Sequence, residues 1–137
     1  MINRFKIFSK IMLFAIASSL FAVNVTLNVD MSNVTVSEDG VHVAGSFQGW
    51  DPAGTPLADD DGDGIYTVVV DMSGVTDETV FFKYINGNSW GNDETVSDPA
   101  CGGEGGFASD RFLDVPDVDT VLDLYALVSV SDVMSLM

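Results

Sequence analysis

Positive charge is scarce in this 137-residue chain: five lysines and arginines stand against 21 aspartates and glutamates, a formal net charge of −16. The five are Arg4, Lys6, Lys10, Lys83 and Arg111, so three of them fall within the first ten residues. Processing after Ala22 would leave two bases against 21 acids, a net of −19. That charge repels phosphate backbones and anionic lipid surfaces, which argues against nucleic acid or membrane-surface partners. Cysteine and histidine are scarcer still, with Cys101 and His42 alone. They are too few for a Cys/His zinc site, and any Ser-His-Asp or Cys-His mechanism would have to run through His42. His42 stands between Val41 and Val43 and reads as an outward-facing strand residue without a role. The chain is expected not to be an enzyme.

Long apolar runs are missing as well. The run from Ile11 to Ala22 is only about half of a ~20-residue membrane span, and it follows the basic stretch Met1 to Lys10. Basic flank, short apolar core and the small residue Ala22 come in the order of a secretory signal peptide over 1–22, with export to the medium or the cell surface as the expectation. An uncleaved amphipathic or buried helix is the alternative. Export places Cys101 in an oxidising compartment with no second cysteine to pair with.

What remains is enough for one domain, and its pattern changes at Val23 to period two. Val23, Val25, Leu27, Val29 and Met31 fall on one face and Asn24, Thr26, Asn28 and Asp30 on the other, as in a half-buried strand. Further strands are expected over Val41 to Phe47, Ile65 to Asp71, Thr79 to Asn86 and Arg111 to Val115, with turns at Glu38-Asp39-Gly40 and Asn86-Gly87. No apolar stripe of helical period follows the leader. The expected fold is all-β, an Ig-like antiparallel β-sandwich over 23–124. Ser89 to Ser109, rich in Gly, Asn, Asp and Glu, is expected to be a long surface loop.

Three groups of residues carry candidate chemistry. In Gly45-Ser46-Phe47-Gln48-Gly49-Trp50-Asp51-Pro52 and in Lys83-Tyr84-Ile85-Asn86-Gly87-Asn88-Ser89-Trp90, a tryptophan sits in polar, turn-like surroundings after a strand. An indole so placed offers its face to the outside, where it can stack on the C–H face of a sugar ring. Lys83 alternates with Phe82 and Tyr84, so it points to the outer face and can donate hydrogen bonds to hydroxyls. The other reading has Trp50 covering an open end of the sandwich and Trp90 anchoring a loop. In the second group, Asp59, Asp61 and Asp63 with Gly64 repeat the first half of a calcium loop, but the twelfth position is Val70 and not a bidentate glutamate. An acidic hairpin turn is the better reading, with calcium an open cofactor question. The third group, Asp93, Glu94 and Glu104, could supply a glycosidase acid and base, yet spacing alone cannot set them across a sugar bond, and a solvated acidic face is the simpler reading.

The segment from about Val41 to Val115 resembles the starch- and glycogen-binding modules of carbohydrate-binding module family forty-eight and its relative family twenty, which include the glycogen-binding domain of the AMP-activated kinase beta subunit. The resemblance runs through V-x-V-x-G-S-F-x-x-W-D-P at Val41 to Pro52, D-G-D-G-I-Y at Asp61 to Tyr66, Lys83 to Trp90, Asp98-Pro99, and R-x-L-x-V at Arg111 to Val115. It implies an α-glucan partner, with Trp50 and Trp90 stacking on glucose units and Lys83 bonding to their hydroxyls. A last-strand asparagine of the family falls on Asp110, which keeps an acceptor and loses a donor. Asn86-Gly87-Asn88 also departs from the usual V-D-G turn. Secreted bacterial domains of this pattern are often one module of a larger protein and carry a C-F-G-x-C stretch after the last strand. That stretch is absent here, and 125–137 is an atypical tail. Codons for Tyr125 to Val130 exist that spell C-F-G-x-C in another frame, so a frameshifted end and an ordinary apolar strand both stay open until the nucleotide sequence is read. A structural or adhesive Ig-like module held by calcium, with both tryptophans packed inside, is the alternative function.

Overall fold

The computed structural model describes residues 22–96 and 109–122 and the backbone of 125–126. The expected leader, Cys101, Glu104, Asp98-Pro99 and most of the tail lie outside the described residues. The first strand, β1 (Asn24–Asp30), has the alternation that its sequence requires, with Val25, Leu27 and Val29 fully buried. It pairs antiparallel with β4 (Ile65–Asp71) over its whole length, from Asn24 opposite Asp71 to Asp30 opposite Ile65. The second sheet is built from β2 (Val41–Gly45), β3 (Pro56–Leu57), β5 (Thr79–Asn86) and β6 (Arg111–Asp114), in the order β3-β2-β5-β6 with every pairing antiparallel.

Apolar side chains from both sheets form one core. Val25, Leu27 and Val29 belong to the same buried cluster as Val41, Val43, Val80, Phe82 and Tyr84. Phe82 and Tyr84, two apart on β5, meet edge to face with ring centres 5.8 Å apart. The Tyr84 hydroxyl donates to the Asn28 carbonyl oxygen at 3.0 Å, so a buried phenol is satisfied by the opposite sheet. The protein is all-β, with two antiparallel-rich sheets sharing a core.

Three features differ from the sequence expectations. The chain ends its first sheet with parallel pairing: β7 (Thr120–Val121) and β8 (Tyr125–Ala126) both lie parallel to β1, at Val25-Thr26 and at Val29-Asp30. Residues after β6 cross from one sheet to the other, and a crossing chain is free of the antiparallel direction that a hairpin imposes. The second expected strand also stops at Gly45, where Ser46–Gln48 form one 3-10 turn. A Cβ on Gly45 would sit 2.6 Å from the Phe81 carbonyl oxygen, so glycine alone allows this approach of β2 to β5. Ser46 Oγ then accepts the Phe81 N–H at 3.1 Å, which takes the place of the next ladder bond. His42 is not open to solvent as expected: it is buried, and its Nδ1 lies 2.6 Å from the Gly87 carbonyl oxygen. No helix among the described residues is long and apolar enough to cross a membrane.

Candidate aromatic and ionic site

The tryptophan after β2 is set by a tight turn. Gly49 and Trp50 both have positive φ, 76° and 62°, a conformation that a bulky side chain adopts only when its surroundings hold it there. The Gln48 amide supplies part of that hold: Oε1 accepts the Asp51 N–H at 2.6 Å and Nε2 donates to the Asp51 carbonyl oxygen at 2.7 Å. The Trp50 N–H reaches back to the Gly45 carbonyl oxygen at 2.9 Å. Trp50 is half-buried as a result.

Trp90 follows β5 on the turn after Asn86-Gly87 and is 48% exposed. The two rings, 40 residues apart in sequence, come together with centroids 6.3 Å apart and planes inclined by 44°. They form a bent aromatic surface with one open wing. After Trp90 the chain turns back along β5: the Asn86 N–H donates to the Asn92 carbonyl oxygen at 3.0 Å, Asp93 bridges Ile85, and the Glu94 N–H donates to the Tyr84 carbonyl oxygen at 3.0 Å.

On this returning arm, adjacent acids reach Lys83 and Arg111, the two lysine or arginine residues of the sequence after Lys10. Lys83 Nζ lies 3.1 Å from Asp93 Oδ2 and 3.3 Å from Asp110 Oδ1. Lys83 is mostly covered, and the ammonium expected to face sugar hydroxyls is already shared by two carboxylates. Burial alone would lower the Lys83 pKa, but the hydrogen bonds and charges of Asp93 and Asp110 outweigh it and hold it above the usual 10.5. Burial would likewise raise Asp93, yet the Gly91 N–H, the Lys83 hydrogen bond and the Lys83 charge together hold its carboxyl below 3.8. Glu94 faces the other way. Its Oε1 accepts Arg111 Nε and its Oε2 accepts Arg111 Nη2, both at 2.8 Å, and Oε1 also accepts the Tyr84 N–H at 3.0 Å. Arg111 lies over the Tyr84 ring, 5.5 Å from its centre.

Of the residues singled out from sequence, Trp50 meets Trp90 and Lys83 meets Asp110, and the Asp93 carboxylate joins the second pair to the turn of Trp90 through the Gly91 N–H at 3.0 Å. Asp93 and Glu94 are each turned toward a cation and away from each other; the solvated acidic face expected of them is not what forms, because Glu94 is buried, Asp93 is half-buried and both are ion-paired. The roles of Asp93, Glu94 and Arg111 escaped sequence reading. One signal was there: with only two lysines or arginines after Lys10, each was bound to draw in carboxylates.

Asp59, Asp61 and Asp63 stand apart, on the turn that enters β4. Each offers an oxygen to a group spanning no more than 4.8 Å. These carboxylates also hold their own backbone: Asp59 accepts the N–H groups of Gly62 at 2.8 Å, Asp63 at 3.1 Å and Gly64 at 3.1 Å, and Asp63 accepts that of Ile65 at 2.8 Å. The donor set is the hard oxygen type that calcium takes, three carboxylates toward the six to eight oxygens of a calcium shell. A concavity of about 390 Å³ opens here, lined by Asp60, Asp61, Asp63, Ile65 and Val69 among others. Comparison of the chain with protein-family models and with curated proteins found no match.

Proposed function

We propose that the protein is a non-catalytic carbohydrate-binding module of Ig-like type, exported through its leader, that holds a neutral α-glucan of the starch or glycogen kind. The observation that carries this reading is the pairing of Trp50 with Trp90, two rings 6.3 Å apart at 44° with Trp90 half open to solvent. A bent aromatic surface suits the curved, apolar C–H faces of successive α-linked glucose units, and stacking asks for a platform and not for a deep cavity. Asp93 and Asp110 beside Lys83 supply acceptors and one remaining N–H donor for hydroxyls. Their shared charge disfavours uronate and sulfated glycans, which carry the same sign. Two stacked rings and a few hydrogen bonds give a dissociation constant of roughly 10 μM to 1 mM. Further domains of a larger protein are natural partners for so weak a binder.

The test is affinity electrophoresis through gels containing amylopectin, glycogen, a β-glucan or alginate. Retardation in the α-glucan gels alone, lost in Trp90→Ala, is the expected result. Unchanged mobility in every gel would sink the proposal. A second reading, a structural module held by calcium, draws on the close approach of Asp59, Asp61 and Asp63. It expects both tryptophans inside, against which the exposure of Trp90 weighs.

A further inference from the structure

We infer that Asp93 is the positioning residue for Trp90, clamping the peptide that follows the indole to the Lys83 ammonium and thereby fixing the open wing of the aromatic surface. This inference rests on the reading of Trp50 and Trp90 as a ligand platform. The two oxygens of Asp93 do different work. Oδ1 accepts the Gly91 N–H at 3.0 Å, which is the amide of the Trp90–Gly91 peptide, and Oδ2 accepts from Lys83 Nζ at 3.1 Å. Gly91 has φ of 103°, a left-handed conformation open to glycine, so the chain can reverse directly after the tryptophan and bring Asp93 back against Ile85. Lys83 is itself anchored on β5 and held from its other side by Asp110 at 3.3 Å, next to the start of β6. One carboxylate therefore transmits the position of two strands to a turn that has little apolar burial of its own. Residues 88–92 are all exposed, and a ring carried on such a turn is free to swing unless a polar clamp holds its backbone.

The arrangement also redefines Lys83. Two of its three N–H donors are directed at carboxylates, so its first task is to hold Asp93 and Asp110, and one donor is left for a ligand hydroxyl.

The test separates the pose of Trp90 from binding. In a Trp50→Phe background Trp90 is the single indole, and its acrylamide quenching is read without any glycan. Asp93→Ala removes both oxygens and is expected to raise the quenching constant of Trp90. Asp93→Asn has one acceptor for two donors, so it keeps the Gly91 N–H contact or the Lys83 contact but not both, and is expected to raise quenching by less than Asp93→Ala does. With Trp50 restored, retention by amylopectin should fall about tenfold in Asp93→Ala, the equivalent of ~1.4 kcal/mol, and clearly less in Asp93→Asn. Amide exchange of Gly91 in the unaltered chain gives a readout that needs no variant: protection relative to Asn88 and Ser89 is expected. An unprotected Gly91 amide would overturn the inference, as would unchanged quenching in a folded Asp93→Ala, whether or not retention fell. If the unaltered chain ignores amylopectin while Asp93→Ala still raises quenching, the glucan reading fails and the clamp stands.

Discussion

The molecule carries two dense groups of carboxylates, and they are treated in opposite ways. On the arm after Trp90, Asp93, Glu94 and Asp110 are half-buried or buried, and each is paired with Lys83 or Arg111. On the turn before β4, Asp59, Asp61 and Asp63 are turned to solvent or half-buried and find only backbone N–H donors. Two cations, Lys83 and Arg111, serve the chain after Lys10, and both are paired with the first group. Burial explains the choice. A carboxylate facing water is solvated at little cost, whereas one enclosed by protein needs a counter-charge and hydrogen bonds or it takes up a proton. Charge placement therefore ties the arm after Trp90 to β5 and β6, and leaves the turn as a loop stabilised locally.

The largest effect should come from breaking the most enclosed pair. Glu94→Ala leaves the Arg111 guanidinium buried and the Tyr84 N–H without its side-chain acceptor, an expected loss of roughly 3–5 kcal/mol. For a domain this small that is a fall in Tm of roughly 12 °C or more, seen in a thermal melt by circular dichroism. Glu94→Leu combined with Arg111→Met should recover part of the loss. A loss below ~1 kcal/mol in Glu94→Ala would erase the contrast between the two groups.

Next in size is Asp59→Ala. It removes the acceptor of three N–H groups, but these can turn to water, so an expected cost of about 0.5–1.5 kcal/mol should appear in urea unfolding with an unchanged slope. Trp90→Ala should cost less than about 1 kcal/mol, since half of the ring is already in water, while abolishing retention by glucan. Loss of both stability and retention would make Trp90 a packing residue.

Acid and base should act on the first group in a definite order. Asp93 titrates below its ordinary value of 3.8, so its stabilisation is present above 3.8 and fades as pH falls through the lowered folded value. Lys83 titrates above 10.5, so its contribution is whole below 10.5 and fades as pH rises through the raised folded value. A pH series of melts should show Asp93→Asn losing less stability than the parent on acidification. Equal curves for the two would mean that the Lys83 contact adds nothing measurable. The smallest effect belongs to cations at the turn: calcium chloride and sodium chloride at matched ionic strength should raise Tm alike, by screening three like charges within 4.8 Å. A calcium-specific rise that Asp61→Ala removes would turn this loop into a metal site.

Much of the scaffold could be read in advance, because alternation with period two commits a strand to one buried face. Val25, Leu27 and Val29 are buried as their spacing requires, and β4 and β5 begin and end where the sequence placed them. The early end of β2 could not be read this way, since it depends on how near Phe81 and Phe82 come to Gly45. His42 alternates outward as expected, but the Gly87 carbonyl oxygen lies against it, and that neighbour is 45 residues away.

For the site, the sequence alone determined the residue types: two tryptophans in polar turns, a lysine between aromatic neighbours, and an excess of acid that leaves every cation with a partner to find. Tertiary structure decided which partners meet. β2 and β5 are adjacent but antiparallel, so the strand ends that precede the two tryptophans are not side by side; Trp50 and Trp90 meet across loops that fold back, the Trp50 N–H onto the Gly45 carbonyl oxygen and the chain after Trp90 along β5. Asp93 and Glu94, neighbours of the same charge, part company because successive residues on an extended chain point to opposite sides, one toward Lys83 and one toward Arg111. Local pattern specifies conformation through short-range sterics and solvation, but pairing across 10 to 40 residues is set by strand register, which exists only once the sheets have formed.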